Sequence, residues 1–198
     1  MRRHAPVYCL MPTLSPPAIQ YRDSFLAGAA EFLAEGRLDS TYAVYLVYNL
    51  ETLAERFPQF VLDLQGVVDT KRSGTQYPDR VLWLINEGEY IGQASIRPKL
   101  CTSYLITYGG HIGYSIRPSC RRCGFGKTIL ALVLNATREM ELKRILVTCD
   151  SDNIGSRKII EYNGGQFESA MSMAPRTFRT EGRKPSRHID KLRYWIDL

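Results

Sequence analysis

Residues 115–130 read SIRPSCRRCGFGKTIL, and the residue types able to do chemistry gather here: Cys120 and Cys123, Arg117, Arg121, Arg122 and Lys127, and two glycines, Gly124 and Gly126. Two chemistries suit that composition. The first is metal or dithiol chemistry on the Cys-x-x-Cys pair. A structural zinc site needs four ligands, however, and there is no second cysteine pair or spaced histidine pair, since His4, His111 and His188 stand apart. The pair also lies deep in the chain rather than at the helix following a first strand, where dithiol catalysts carry it. The expectation is that no metal is bound. The second chemistry is anion binding. Glycine lets backbone approach a ligand closely, and the unpaired amides and dipole of a helix start favour negative charge. Arg121, Arg122 and Lys127 add positive potential. The spacing is neither a P-loop, whose first glycine is missing, nor Gly-x-Gly-x-x-Gly, because Ile129 fills the third position.

A cradle of this kind works only between a strand and a helix, and the periodicity supplies both. GGHIGYSIRP reads as a strand ended by Pro118, which cannot donate to a ladder. KTILALVLNATREMEL carries Ile129, Leu130, Leu132, Val133, Leu134, Ala136 and Met140 on a broad apolar helical face, and KRILVTCD is a buried-type strand. Strand, helix and strand in that order imply a parallel pair. Upstream, RVLWLINEGEYIGQASIRPKL predicts a hairpin of strands 81–86 and 90–97 around NEGE, so three successive strands should be antiparallel. Downstream, a helix over about 154–163 should close at Gly164 and Gly165, followed by strands QFESAMSM and LRYWIDL. In the first third, Ile19, Phe25, Leu26, Ala29, Phe32 and Leu33 form one helical stripe with Gly36 as a stop. Leu50, Leu53, Phe57, Phe60, Val61 and Leu64 form a second stripe, which Pro58 should kink or split. The N-terminal run to Pro17 reads as a strand and a loop. The class is α/β with a mixed sheet.

The 198 residues suit one domain with a full core. At 44% hydrophobic and 23% charged, with no apolar run of membrane-spanning length, the chain reads as soluble, not membrane-bound, and cytoplasmic. Five scattered cysteines make a poor disulfide framework and agree with a reducing compartment. The formal net charge of +6 favours anionic partners. Nucleic acid ranks last among them, because the basic run near 176–193 lacks interleaved aromatics.

From His111 to Ser169, about a third of the chain, the sequence resembles the acyl-CoA core of the Gcn5-related N-acetyltransferase (GNAT) superfamily. Arg121, Gly124 and Gly126 match its Arg/Gln-x-x-Gly-x-Gly/Ala signature; Asn153 matches the asparagine after the next strand, and Ser156 the small residue three positions on. The resemblance implies a mostly antiparallel central sheet with a parallel splayed pair and flanking helices, in a single domain over 1–198. An acceptor-shaping part would occupy about 1–80 and the acyl-CoA core about 81–170. It also implies acetyl-CoA as acyl donor. The amides of Arg122, Cys123, Gly124, Phe125, Gly126 and Lys127 would hold its pyrophosphate. Ser115 and Ile116 would pair their backbone with the pantetheine arm, and Asn153 and Ser156 would touch the cofactor from the opposite wall. Asn153 suits a helix N-cap equally well.

The implied reaction is direct attack of a primary amine on the thioester, probing for a base and an acid. Where many members carry a glutamate base this chain has His111, whose ordinary pKa near 6.5 suits proton removal. The usual acid tyrosine, seven residues after the asparagine, is replaced by Ile160, and Tyr162 lies about 200° further around the helix. Tyr104, Tyr108 and Tyr114 are candidates for the cleft mouth. The expected acceptor is a small-molecule amine. The alternatives are a protein N-terminus and a non-catalytic acyl-CoA-binding module, and a homodimer is left open.

Overall fold

A computed structural model describes residues 11–36, 49–66, 80–172 and 189–198. His4, Cys9 and His188 and most of the basic run at 176–193 lie outside the described residues. Helix α1 (Arg22–Ala34) is followed by α2 (Leu50–Glu55) and α3 (Phe57–Leu64). The predicted second helix is thus split. Pro58 sits in the first turn of α3, where its missing N–H has no intrahelical partner to lose. Asn49 and Thr52 form a reciprocal capping box that starts α2.

The strands are β1 (Thr13–Ser15), β2 (Arg80–Asn86), β3 (Glu89–Ile96), β4 (Ile112–Ile116), β5 (Arg144–Asp150), β6 (Gln166–Ser172) and β7 (Asp190–Asp197), in one sheet of order β1-β2-β3-β4-β5-β7-β6. Every pairing is antiparallel except β4 with β5. Helix α4 (Phe125–Arg138) joins that parallel pair, and α5 (Ile154–Tyr162) follows β5. The predicted mixed sheet is the one observed.

Because side chains alternate along a strand, β2 feeds two cores. Leu82 and Leu84 join Ile129, Leu130, Val133 and Ile160 under α4 and α5, whereas Trp83 and Ile85 join Phe25, Phe32, Phe57 and Phe60 under α1 to α3. Phe25 stacks on Trp83 with ring centroids 4.7 Å apart, a geometry that adds to simple area burial. The α1 stripe is narrower than its sequence suggests: Phe25, Ala29 and Phe32 are buried, while Ile19 and Leu33 are exposed. Among the described residues no helix is long and apolar enough to cross a membrane.

One element carried no sequence signal. Residues Leu105–Gly109 form a π-helical turn before β4. It is held from outside: Thr148 Oγ1 donates to Tyr108 O at 2.6 Å, and the Arg193 guanidinium donates to the carbonyls of Ile106 and Thr107. At Gly110, which ends the turn with φ 71°, a Cβ would lie 2.6 Å from Leu146 O, so only glycine fits.

Candidate active site

The site is a gap between two strands. β4 and β5 pair at one register position, Ile112 with Val147. Beyond it no further pair forms between them, and it is the Tyr114 side chain that reaches across from β4 to Ser156 at the start of α5. On the β3 side β4 remains fully paired, Ser115 with Gln93 and Ile116 with Gly92. The edge of Gly113–Ile116 turned toward β5 therefore has no ladder partner among the described residues. Among the described residues the buried Ser115 hydroxyl has no hydrogen-bond partner, a state that native interiors rarely leave uncompensated.

Past Ile116 the chain turns through Pro118–Cys120 and enters α4 at Gly124. Arg122 (φ 67°) and Gly124 (φ 88°) both adopt left-handed backbone, so successive N–H groups point out of the chain, as in an anion-binding nest. No carbonyl among the described residues accepts from the amides of Arg122, Cys123, Gly124, Phe125 or Gly126; the run of internal bonds resumes with Lys127 N to Gly124 O at 2.9 Å. A Cβ on Gly124 would meet nothing within 4 Å, so the turn is open beside that residue. Gly126 differs: its Cβ would lie 2.4 Å from Ile159 Cδ1, and its bareness lets α4 and α5 close together. Cys120 and Cys123 are free thiols, as are Cys101 and the buried Cys149, whose pKa burial pushes up to about 11.

Arg121 serves the scaffold with its side chain. Its Nε donates to Ile116 O at 3.1 Å and an NH group pairs with Glu35 at 2.8 Å. Arg122 and Lys127 are in no ion pair among the described residues; the Lys127 ammonium rests 3.8 Å from the centroid of the Tyr162 ring.

On the opposite wall Asn153 caps α5, its Oδ1 accepting from Ser156 N at 3.0 Å. The Ser156 hydroxyl meets the Tyr114 hydroxyl at 2.9 Å. Tyr114 thus leaves the group expected at the cleft mouth and spans the gap from β4 to α5. Burial pushes its pKa far above the ordinary phenol value, so it stays protonated. Tyr104 and Tyr108 do lie together, ring centroids 5.9 Å apart. Ile160 is fully buried in the core, and Tyr162 is exposed, its ring beneath the Lys127 ammonium.

His111 sits at the closed end of the gap. Leu146 N donates to its Nδ1 at 2.9 Å, and His111 N donates to Leu146 O at 2.7 Å. A backbone amide always carries its hydrogen, so the Nδ1 lone pair is occupied and the neutral ring bears its proton on Nε2. Burial, with the charge of Arg97 acting in the same direction, holds the pKa below the ordinary histidine value. This geometry supports a strand tie better than proton removal.

Two contributors escaped the sequence reading. Glu31 and Glu35, at the end of α1, pair with Arg117 and Arg121 across the turn that precedes the open amides. Their only sequence signal is acid at a helix C-terminus with no basic residue in the last turn, where the dipole disfavours it.

The profile of the acetyltransferase (GNAT) domain family matches residues 31–166. No curated protein is significantly similar in sequence. Among solved structures, the microcin C7 self-immunity acetyltransferase MccE in complex with acetyl-CoA and AMP aligns at TM-score 0.64 and 15% identity, covering 94% of this chain and 92% of that one. The ribosomal L7/L12 alpha-N-protein acetyltransferase RimL in complex with coenzyme A aligns at 0.61 and 17%, covering 94% of each. A GNAT-family acetyltransferase from Bacillus anthracis aligns at 0.63 and 17%, covering 96% of each. At such identities these likenesses establish a shared fold.

Proposed function

The chain belongs to the GNAT acetyltransferase family, and from that premise we propose that it transfers an acetyl group from acetyl-CoA to a primary amine by direct attack. The observation that carries this reading is the open row of amides from Arg122 to Gly126 beside the β4–β5 gap. Solved structures of the same fold are complexes with acetyl-CoA or coenzyme A.

The residues fit such a donor. The 122–126 amides, with Lys127 and the start of α4, would hold the pyrophosphate; Gly124 leaves the room and Gly126 the helix approach. The edge at Ser115 and Ile116, unladdered toward β5, would pair with an amide-bearing arm like an added strand. Asn153 and Ser156 form the facing wall. Acetyl-CoA supplies the activated acyl group as a thioester. The chain's own contribution is placement, which converts an encounter of two molecules into a near-unimolecular step, and hydroxyls that stay protonated at the gap, Tyr114 and Ser156. For His111, an unchanged pH–rate profile in His111→Asn at saturating acetyl-CoA is the expected result.

The acceptor we put first is a small-molecule amine, with a peptide N-terminus as alternative. Thiol release from acetyl-CoA over a panel of amino acids, polyamines, aminoglycosides and short peptides tests both. Release with one class and not the other assigns the acceptor. Tight coenzyme A binding with no release on any amine would sink the enzymatic reading in favour of an acyl-CoA-binding module.

A further inference from the structure

We infer that Glu31 is a positioning residue for the coenzyme A nucleotide: from α1 it fixes the turn that aims the 122–126 amides. This rests on the reading of those amides as a pyrophosphate cradle. The Glu31 carboxylate accepts three hydrogen bonds from that turn. Its Oε1 accepts from Arg117 Nε at 2.7 Å and from Ser119 Oγ at 3.0 Å, and its Oε2 accepts from Ser119 N at 2.8 Å. One helical turn on, Glu35 accepts from Arg121 at 2.8 Å, and Arg121 in turn donates to Ile116 O. Two carboxylates four residues apart on a helix therefore meet two guanidinium groups four residues apart in the turn. Such a double contact fixes the direction of the turn as well as its distance from α1.

The placement is hard to explain otherwise. Carboxylates in the last turn of a helix oppose its dipole, and α1 has no basic residue there to compensate them locally. The Glu31–Arg117 pair is shielded, with side-chain exposures of 27% and 17%, and at Gly28, one turn earlier, a Cβ would lie 3.4 Å from Arg117 Cδ. A surface pair of mobile side chains would do little; a shielded carboxylate accepting three hydrogen bonds, one of them from backbone, holds its partners in one geometry. The amide it holds, Ser119 N, lies three residues before the first open amide. The same arrangement ties the helix of the N-terminal part directly to the donor site.

The test separates the two halves of the donor. Binding of coenzyme A, of 3′-phospho-ADP (the nucleotide half with its pyrophosphate) and of pantetheine is measured by calorimetry on the full chain and on Glu31→Gln. The expected result is roughly tenfold weaker binding of coenzyme A and of 3′-phospho-ADP, about 1.4 kcal/mol, with pantetheine affinity unchanged, and recovery toward wild type in Glu31→Asp. General loosening of the fold would weaken both halves together, and that outcome overturns the inference, as does equal affinity of Glu31→Gln and wild type for 3′-phospho-ADP. Should Glu31→Gln fail to fold, Ser119→Ala, which removes one hydroxyl at an exposed position, is read on the same three ligands: selective loss on the nucleotide half supports the inference and no loss rejects it. A wild-type chain that binds no coenzyme A at all rejects the cradle itself, a result distinct from a variant that binds it normally.

Discussion

Gly124 and Gly126, two residues apart in one short motif, are glycines for different reasons, and substitution separates them. Gly124 needs left-handed backbone and has empty space around its Cα. Gly124→Ala should therefore cost about 1 kcal/mol through conformation alone, and Gly124→Asn less, because asparagine visits that region more readily. Gly126 lies in ordinary helix, but any Cβ meets Ile159 Cδ1 at 2.4 Å. Gly126→Ala should destabilise by about 1 kcal/mol, because the Ile159 δ-methyl must swing off its preferred rotamer between α4 and α5, and the double variant Gly126→Ala/Ile159→Ala should show a favourable coupling. Denaturant titration of the four proteins checks this; purely additive effects would mean that the two side chains do not compete for the same space.

At the scale of elements, the join between β4 and β5 is where pH should register. Because burial keeps His111 neutral in the folded state, the unfolded chain binds an additional proton below about pH 6.5. Stability therefore falls as pH drops from 6.5 toward the lowered folded-state value, and is fully present above 6.5. In His111→Asn the amide oxygen can take over the acceptor role toward Leu146 without titrating, so the stability difference between wild type and variant should shift with pH between 7.5 and 5.5. A difference that stays flat across that range would show that His111 is not held neutral. The same join shows what a sequence discloses. The hairpin, α4 and the broken helix at Pro58 are legible because periodicity and turn chemistry are local, and the glycine motif is legible because its spacing is tied to a helix start. The π-helical turn 105–109 is not: its restraints come from Thr148 and Arg193, about 40 and 86 residues away. Nor is the Tyr114–Ser156 contact, made across 42 residues, or Glu31 on Arg117 across 86. Each is a meeting of residues distant in sequence that only the sheet order β4-β5-β7 and the seat of α1 against β3 bring about.

Over the whole molecule the formal charge of +6 offers a general attraction for a polyanionic donor, but the fold decides where it acts. Arg117 and Arg121, the basic residues nearest the open amides on the N-terminal side, are neutralised by Glu31 and Glu35. The local field at the cradle then comes from Arg122, Lys127 and the N-terminus of α4, a smaller charge than the sequence run of arginines suggests. Such a field accelerates encounter more than it prolongs residence. Raising salt from about 0.02 to 0.5 M, over which the screening length contracts to a few ångströms, should slow coenzyme A association several-fold in stopped-flow measurements and leave dissociation nearly unchanged. In Arg122→Gln/Lys127→Gln that dependence should flatten, whereas Arg121→Gln/Glu35→Gln, which removes a mutually compensated pair, should keep the wild-type slope even where its affinity falls. An equal loss of slope in both variants would mean that Glu35 does not neutralise Arg121 and that the whole arginine run faces the donor.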